Sequence, residues 1–257
     1  MTGRCRCAIF ATLLLLFPVS AWADLFKPSV KDQIGLGKRA AAQIEKEEKI
    51  VRPEDTRVQN LRALGNELVA LIPPAERKKK PFEYTFNLIE SKELNAFALP
   101  GGPIYIYSGL LEKLQTQDQL AGILAHELTH VHKEHWAGAY ADNQKRKLGL
   151  AVILTVLNAN DTLFNAASVS DALIFELPYS RKHESESDTY GFDLMAKAGY
   201  SPQGMVDVFE VLKKKSGSGR NTEWVSDHPS LDGRIKKIRD RMTKSGKTYP
   251  DQRPLKG

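Results

Sequence analysis

The chain has 257 residues, 42% hydrophobic and 26% charged, with a formal net charge of +6. That length allows one domain with a substantial core. The modest positive surplus comes with no basic-aromatic stripe or nucleic-acid motif, which argues against nucleic acid as a partner while leaving contact with anionic membrane surfaces open.

Arg4 and Arg6 precede an apolar run over residues 8–19, and Ala21-Trp22-Ala23 sets small residues at the −3 and −1 positions before Asp24. This pattern predicts a secretory signal peptide over residues 1–23, because the run is shorter than the roughly 20 residues of a spanning helix. Both cysteines, Cys5 and Cys7, fall in that leader. Residues 24–257 are then a single cysteine-free domain of charge +4, built without disulfides for an oxidising compartment.

Residues 30–49 and 55–72 read as helices, the second carrying Val58, Leu61, Leu64, Leu68 and Leu71 on one side. Pro73-Pro74 ends the second, and the lysines at 78–80 with Pro81 read as a solvated turn. A strand over 82–89, further strands near Asn95 and over 104–107, and a short helix around 109–114 follow. These expectations divide the domain into N-terminal helices over 28–72, a core over 82–242 and a frayed tail over 243–257.

The most informative stretch is His126-Glu127-Leu128-Thr129-His130. Leu120, Ile123, Leu124, Leu128 and Val131 recur at helical spacing around it, and Thr116 or Asp118 can cap the start. On that helix the imidazoles at i and i+4 share a face and can grip one metal ion, while Glu127 can take a proton from a water that the metal activates, as in zinc peptidases. His132 and His135 lie two and five residues past His130 and are expected to point elsewhere, as solvated residues or supports.

A catalytic zinc needs a third protein ligand. Glu184 is the best candidate, sharing a helical face with Asp188 one turn later, which can orient a ligating imidazole. Glu186 points to another side, and the adjacent His183 competes for the ligand role. Residues 148–157 are the most apolar stretch outside the leader and read as a buried helix, or as a flexible flap or membrane-contact element near the site. A helix through Leu212, a linker over 213–220 and a last helix over 231–242 complete the chain, with no internal repeat.

The HELTH helix, Ser180-Arg181 with Glu184-Ser-Glu-Ser-Asp188 and Gly191, the Ala198-Gly-Tyr-Ser-Pro202 turn, and Asp227-His-Pro-Ser230 with Arg234-Ile235 together resemble the M48 peptidases of the HExxH gluzincin type. The resemblance spans nearly all of residues 24–257 and is strongest to small bacterial envelope members. It implies an α+β, mostly helical, zincin-like metalloprotease domain with a small sheet or hairpin beside the active-site helix. It implies one Zn2+ per chain held by His126, His130 and Glu184, with Glu127 as general base and acid and Asp188 orienting a ligand. Asn95, Ala96, Phe97 and Ala98 resemble the family's substrate-binding strand, where an extended chain would add by β-augmentation. His228, in the His-Pro motif, would either steady the transition state or close the open metal position, and Arg234 would support an acidic group nearby.

The expected function is therefore a zinc endopeptidase in the bacterial periplasm, acting on unfolded, misfolded or unassembled envelope proteins, with peripheral contact to membrane or outer-membrane assembly machinery. The alternative is a chaperone-like module that holds clients in the same cleft while His228 blocks the zinc.

Overall fold

The computed structural model describes residues 26–156, 179–216 and 223–255. The expected leader lies outside them, as does part of the expected linker. Contacts divide the chain into a main body, Pro28–Ala139 with Ser170–Gly257, and a second unit, Met1–Lys27 with Tyr140–Val169.

Helix α1 (Val30–Glu47) begins at a capping box in which Ser29 and Asp32 each accept the other's backbone N–H. Helix α2 (Thr56–Ala70) is capped by Asp55, which accepts from the Arg57 amide. A short α3 (Pro74–Lys79) stands where a turn was expected. The reason is that Pro74 sits at the first helical position, where its fixed φ suits the helix and its missing N–H costs nothing; Pro73-Pro74 ends one helix and starts another.

Strands β1 (Thr85–Ile89), β2 (Ala96–Ala98) and β3 (Pro103–Tyr107) form one sheet in the order β1-β3-β2, with β1 parallel and β2 antiparallel to β3. The expected strand over 82–89 loses its first three residues. Gly101 and Gly102, at φ 83° and 142°, make the turn between β2 and β3; a Cβ at Gly102 would lie 2.1 Å from the Glu83 carbonyl oxygen. Val58, Leu61, Leu64 and Leu68 of α2 bury with Phe86, Leu88, Ile104 and Ile106 of the sheet. Ala40 and Ile44 of α1 cluster with Leu99, Tyr105 and Tyr107.

After the one-turn α4 (Ser108–Leu111) comes α5 (Gln117–His132), which carries the HELTH motif. Its capping box pairs Thr116 with Gln119, and every residue from Asp118 to His132 is buried. A helix buried all round must be approached closely by its neighbours, which explains the glycines that line it. Helix α7 (Arg181–Lys197) brings Gly191 onto Ala125, and α8 (Gln203–Ser216) sets Gly204 against Asp118 and Met205 against Gly122. Helix α6 (His135–Val156) starts after Glu134, at φ 57°. Its backbone continues into the apolar stretch, whose side chains lie outside the described residues. Among the described residues no helix is long and apolar enough to cross a membrane.

Helix α8 extends through Ser216, into the segment read as a linker. The short α9 (Glu223–Asp227) and then α10 (Leu231–Ser245) close the body. The tail expected to fray is packed instead. Leu255 donates its amide to the Gln115 carbonyl and Gln117 donates to the Arg253 carbonyl, at 2.9 and 2.8 Å. Buried Asp118 accepts from the Ser201 and Arg253 amides at 2.6 and 2.9 Å. The tail's polar side chains gave no sign of this, because the backbone makes most of the bonds.

Candidate metal centre

His126 and His130 project from one face of α5, as their spacing requires, and their Nε2 atoms lie 3.0 Å apart. Glu184, in the first turn of α7, reaches both: Oε2 is 3.6 Å from His126 Nε2 and Oε1 is 3.4 Å from His130 Nε2. His228, just past α9, adds its Nδ1 at 3.2 Å from His126 Nε2 and 3.1 Å from Glu184 Oε1. All four side chains are buried, and one donor atom from each lies within 4.8 Å of the others. Four nitrogen or oxygen ligands around zinc at about 2.0–2.1 Å would stand roughly 3.3 Å apart, so these separations fit a tetrahedral divalent ion.

The rings are oriented from behind. His126 Nδ1 lies 3.1 Å from Asp188 Oδ1, one turn along α7 from Glu184. Asp188 is itself clamped by Arg234 of α10, whose Nε and Nη2 donate to its two oxygens at 2.8 and 2.7 Å. Nη1 of the same guanidinium ion-pairs with Glu184 Oε2, without the alignment of a hydrogen bond. Burial pushes the Asp188 carboxyl up, but Arg234 outweighs it and holds the group at about 2. Arg234 thus does what its sequence context suggested, for two carboxylates at once.

Burial, reinforced by His126, drives His130 well below its ordinary pKa, so its ring is neutral and able to offer a lone pair. For His228 burial acts the same way, yet the Glu184 and Glu127 carboxylates outweigh it and raise the pKa. Glu127 is fully buried. Its Oε1 accepts the indole N–H of Trp224 at 3.0 Å, while Oε2 has no hydrogen-bond partner. A buried carboxylate oxygen left bare is costly, and it lies beside a cluster shaped for a cation and its ligands. The residues present fit a metal site.

Two contributors escaped the sequence reading, and a third was misplaced by it. Trp224 sits four residues before His228, and its ring stacks on that imidazole at 4.5 Å; the i, i+4 spacing was the available signal. Tyr179 covers His130 with ring centroids 3.9 Å apart. His135, expected to point away, is buried with its Nδ1 3.1 Å from His130 Nδ1, because the break at Glu134 turns α6 back toward the site. His132 is buried too, bonded to Glu76 at 2.8 Å and away from the cluster. His183 stacks on His135 and supplies no donor to the cluster.

Strand β2 lies against α5. Its register pairs Phe97 with Tyr105, and the bonds Tyr107 N–H to Asn95 O and Leu99 N–H to Pro103 O flank that pair. By antiparallel alternation, Asn95 and Phe97 spend their backbone groups on β3, while Ala96 and Ala98 face the outer edge. Ala96 N–H is taken by the Asn95 side chain at 2.8 Å.

The sequence profile of Peptidase family M48 matches residues 56–242, which include every residue of the cluster. This chain belongs to peptidase family M48. The chain is 29% identical over 172 residues to metalloprotease LoiP of Escherichia coli (strain K12), covering 63% of this chain and 64% of that protein. It is 30% identical over 196 residues to the beta-barrel assembly-enhancing protease of the same organism, covering 71% and 38%. To mitochondrial metalloendopeptidase OMA1 of Schizosaccharomyces pombe it is 32% identical over 162 residues, covering 62% and 46%. The chain therefore matches between about two fifths and two thirds of the length of these relatives. The mostly helical α+β body with its three-stranded mixed sheet agrees with the zincin-like domain expected of the M48 family.

Proposed function

We propose that this M48 metallopeptidase is a zinc-dependent endopeptidase of the bacterial periplasm that cleaves misfolded or unassembled envelope proteins. The observation that carries the reading is the Glu184 carboxylate, brought by a separate helix to within 3.4 and 3.6 Å of the two HELTH imidazoles. His126, His130 and Glu184 would hold the ion, and neutral imidazole and carboxylate donors suit zinc. The predicted leader and the names of the beta-barrel assembly-enhancing relatives support an envelope location, with contact to outer-membrane assembly machinery as a corollary.

When bound, the zinc supplies Lewis acidity that acidifies water and polarises the scissile carbonyl. Glu127 does the proton work. Trp224 holds Oε1, so the bare Oε2 is the atom that takes the proton and later delivers it to the leaving amine. Asp188 fixes the His126 ring so that Nε2 faces the centre, and Arg234 keeps Asp188 ionised and in place. An extended substrate would add to the outer edge of β2 through the Ala96 carbonyl and the backbone of Ala98, the Ala96 N–H being held by Asn95, a mode that reads main chain more than side chains and favours unfolded clients.

His228 supports a second reading. Its Nδ1 stands where a fourth ligand would, which favours a closed centre in which client capture dominates and cleavage waits on that ring's departure. Metal content and casein cleavage of the leaderless chain, with and without chelator, test the two. Glu127→Gln is expected to keep zinc and lose cleavage by roughly 10²–10⁴-fold, while His126→Ala loses the metal as well. Undiminished cleavage by Glu127→Gln overturns the enzyme; client binding with no cleavage under any condition favours the module.

A further inference from the structure

The two HELTH imidazoles are supported differently. His126 Nδ1 meets a carboxylate already paired with Arg234. His130 Nδ1 meets another imidazole, His135, at 3.1 Å. Resting on the metal centre described above, we propose that His135 is a positioning residue that fixes the His130 tautomer, directing the His130 Nε2 lone pair at the ion.

The chain of protons runs from the rim inward. His135 Nε2 lies 3.4 Å from Glu186 Oε2, and an ionised carboxylate can only accept, so Nε2 is the nitrogen of His135 that carries hydrogen. In a neutral ring that leaves Nδ1 as an acceptor. Facing it, His130 Nδ1 donates, and His130 Nε2 is left bare toward His126 Nε2 and Glu184 Oε1. The opposite tautomer of His130 would place a hydrogen on the very atom that must bind metal. Ser187 Oγ, 3.3 Å from the same His135 nitrogen, can turn its hydrogen elsewhere.

The geometry holds this pair firmly. His135 is 3% exposed, its ring stacked on His183 with centroids 4.6 Å apart and planes 14° apart. The His130 ring meets it edge-on from another side, with centroids 4.9 Å apart. Glu134, immediately before it, has φ 57° and accepts from Gln33 while pairing with Lys80. That residue creates the break that turns His135 inward: a straight continuation of α5 would carry position 135 past the site.

The consequence is that a residue outside the HExxH signature controls affinity at one of its two histidines. Orienting partners of this kind are worth roughly 10- to 100-fold in metal affinity. The test measures zinc affinity of the leaderless chain by competition with a chromophoric chelator, for the unaltered protein, His135→Leu and His135→Asn. Asparagine keeps an acceptor oxygen near the Nδ1 position, and leucine fills the space without one. Expected is a 10- to 100-fold loss for His135→Leu and recovery to within about threefold for His135→Asn. Long-range ¹H–¹⁵N spectra of the loaded protein should show His130 protonated on Nδ1 in the unaltered and asparagine forms.

A leucine variant that binds zinc as tightly as the unaltered chain overturns the relay alone, and so does an asparagine variant as weak as leucine. An unaltered chain with no measurable affinity overturns the metal centre and the relay together.

Discussion

Trp224 donates its indole N–H to Glu127 Oε1 across 3.0 Å, with both side chains fully buried. The bond removes one of two equivalent oxygens from play and aims the other. Trp224→Phe keeps the ring against His228 and Phe209 but deletes the donor. A hydrogen bond to a buried charge contributes about 1.5–3 kcal/mol, so kcat/KM should fall roughly 10- to 100-fold, with zinc content unchanged. Steady-state kinetics on a fluorogenic peptide check this; unaltered kcat/KM would mean that Glu127 is aimed by other contacts.

His228 Nδ1 lies 3.2 Å from His126 Nε2 and 3.1 Å from Glu184 Oε1, and on the closed reading proposed above this corner must open for cleavage. Removal of His228 should therefore raise cleavage while weakening zinc binding, since one donor is lost. If the open arrangement is populated at about 10%, the gain in rate approaches tenfold. Cleavage by His228→Ala at saturating zinc measures it. A fall would assign His228 to the transition state instead.

The Asp188–Arg234 clamp links stability to pH in the zinc-free chain. Asp188 is held at about 2 in the fold, below its unfolded value of about 3.9. The contribution is thus fully present above about pH 4–5 and is lost as pH falls toward 2. It amounts to roughly 2–3 kcal/mol. Denaturant unfolding at pH 6, 4 and 2.5 should show Asp188→Asn closing the gap to the unaltered chain as acidity rises. A constant gap would place the stabilisation elsewhere.

Close packing on α5 makes a sharp contrast between two glycines. A Cβ at Gly204 would meet the Asp118 carbonyl carbon and oxygen at 2.3 Å, whereas one at Gly233 meets nothing within 4 Å. Gly204→Ala should cost about 1–3 kcal/mol or more, because backbone cannot yield as a side chain does. Gly233→Ala, in the first turn of α10, should gain up to about 1 kcal/mol. Melting temperatures separate them by at least several degrees; equal values would contradict the helix contact.

Local rules carried the reading furthest where chemistry is compressed into one helix. His126, Glu127 and His130 follow from a 3.6-residue period, and Glu184 with Asp188 from one turn of another. The apolar positions of α2 were legible for the same reason, whereas the start of α5 was legible only as a cap at Thr116 or Asp118, and the structure chose Thr116 with Gln119 as its capping-box partner. Pro73-Pro74 misled, since a proline stops a helix and starts one equally well. The tail misled because its attachment to α5 is made through backbone groups, on which side-chain polarity is silent.

By itself, then, the sequence determined which side chains can bind and exchange protons, since spacing on a helix decides which of them share a face. Only the tertiary structure decided that His228 joins the cluster, that Arg234 serves two carboxylates, that Trp224 bonds one oxygen of Glu127 and that His135 meets His130. The cluster contacts made by His228, Arg234 and Trp224 join residues 44 to 108 positions apart, across helices whose mutual placement is set by small residues and buried area. His135 lies only five residues from its partner, yet a single backbone reversal at Glu134 determines where it points. No periodicity encodes either kind of contact.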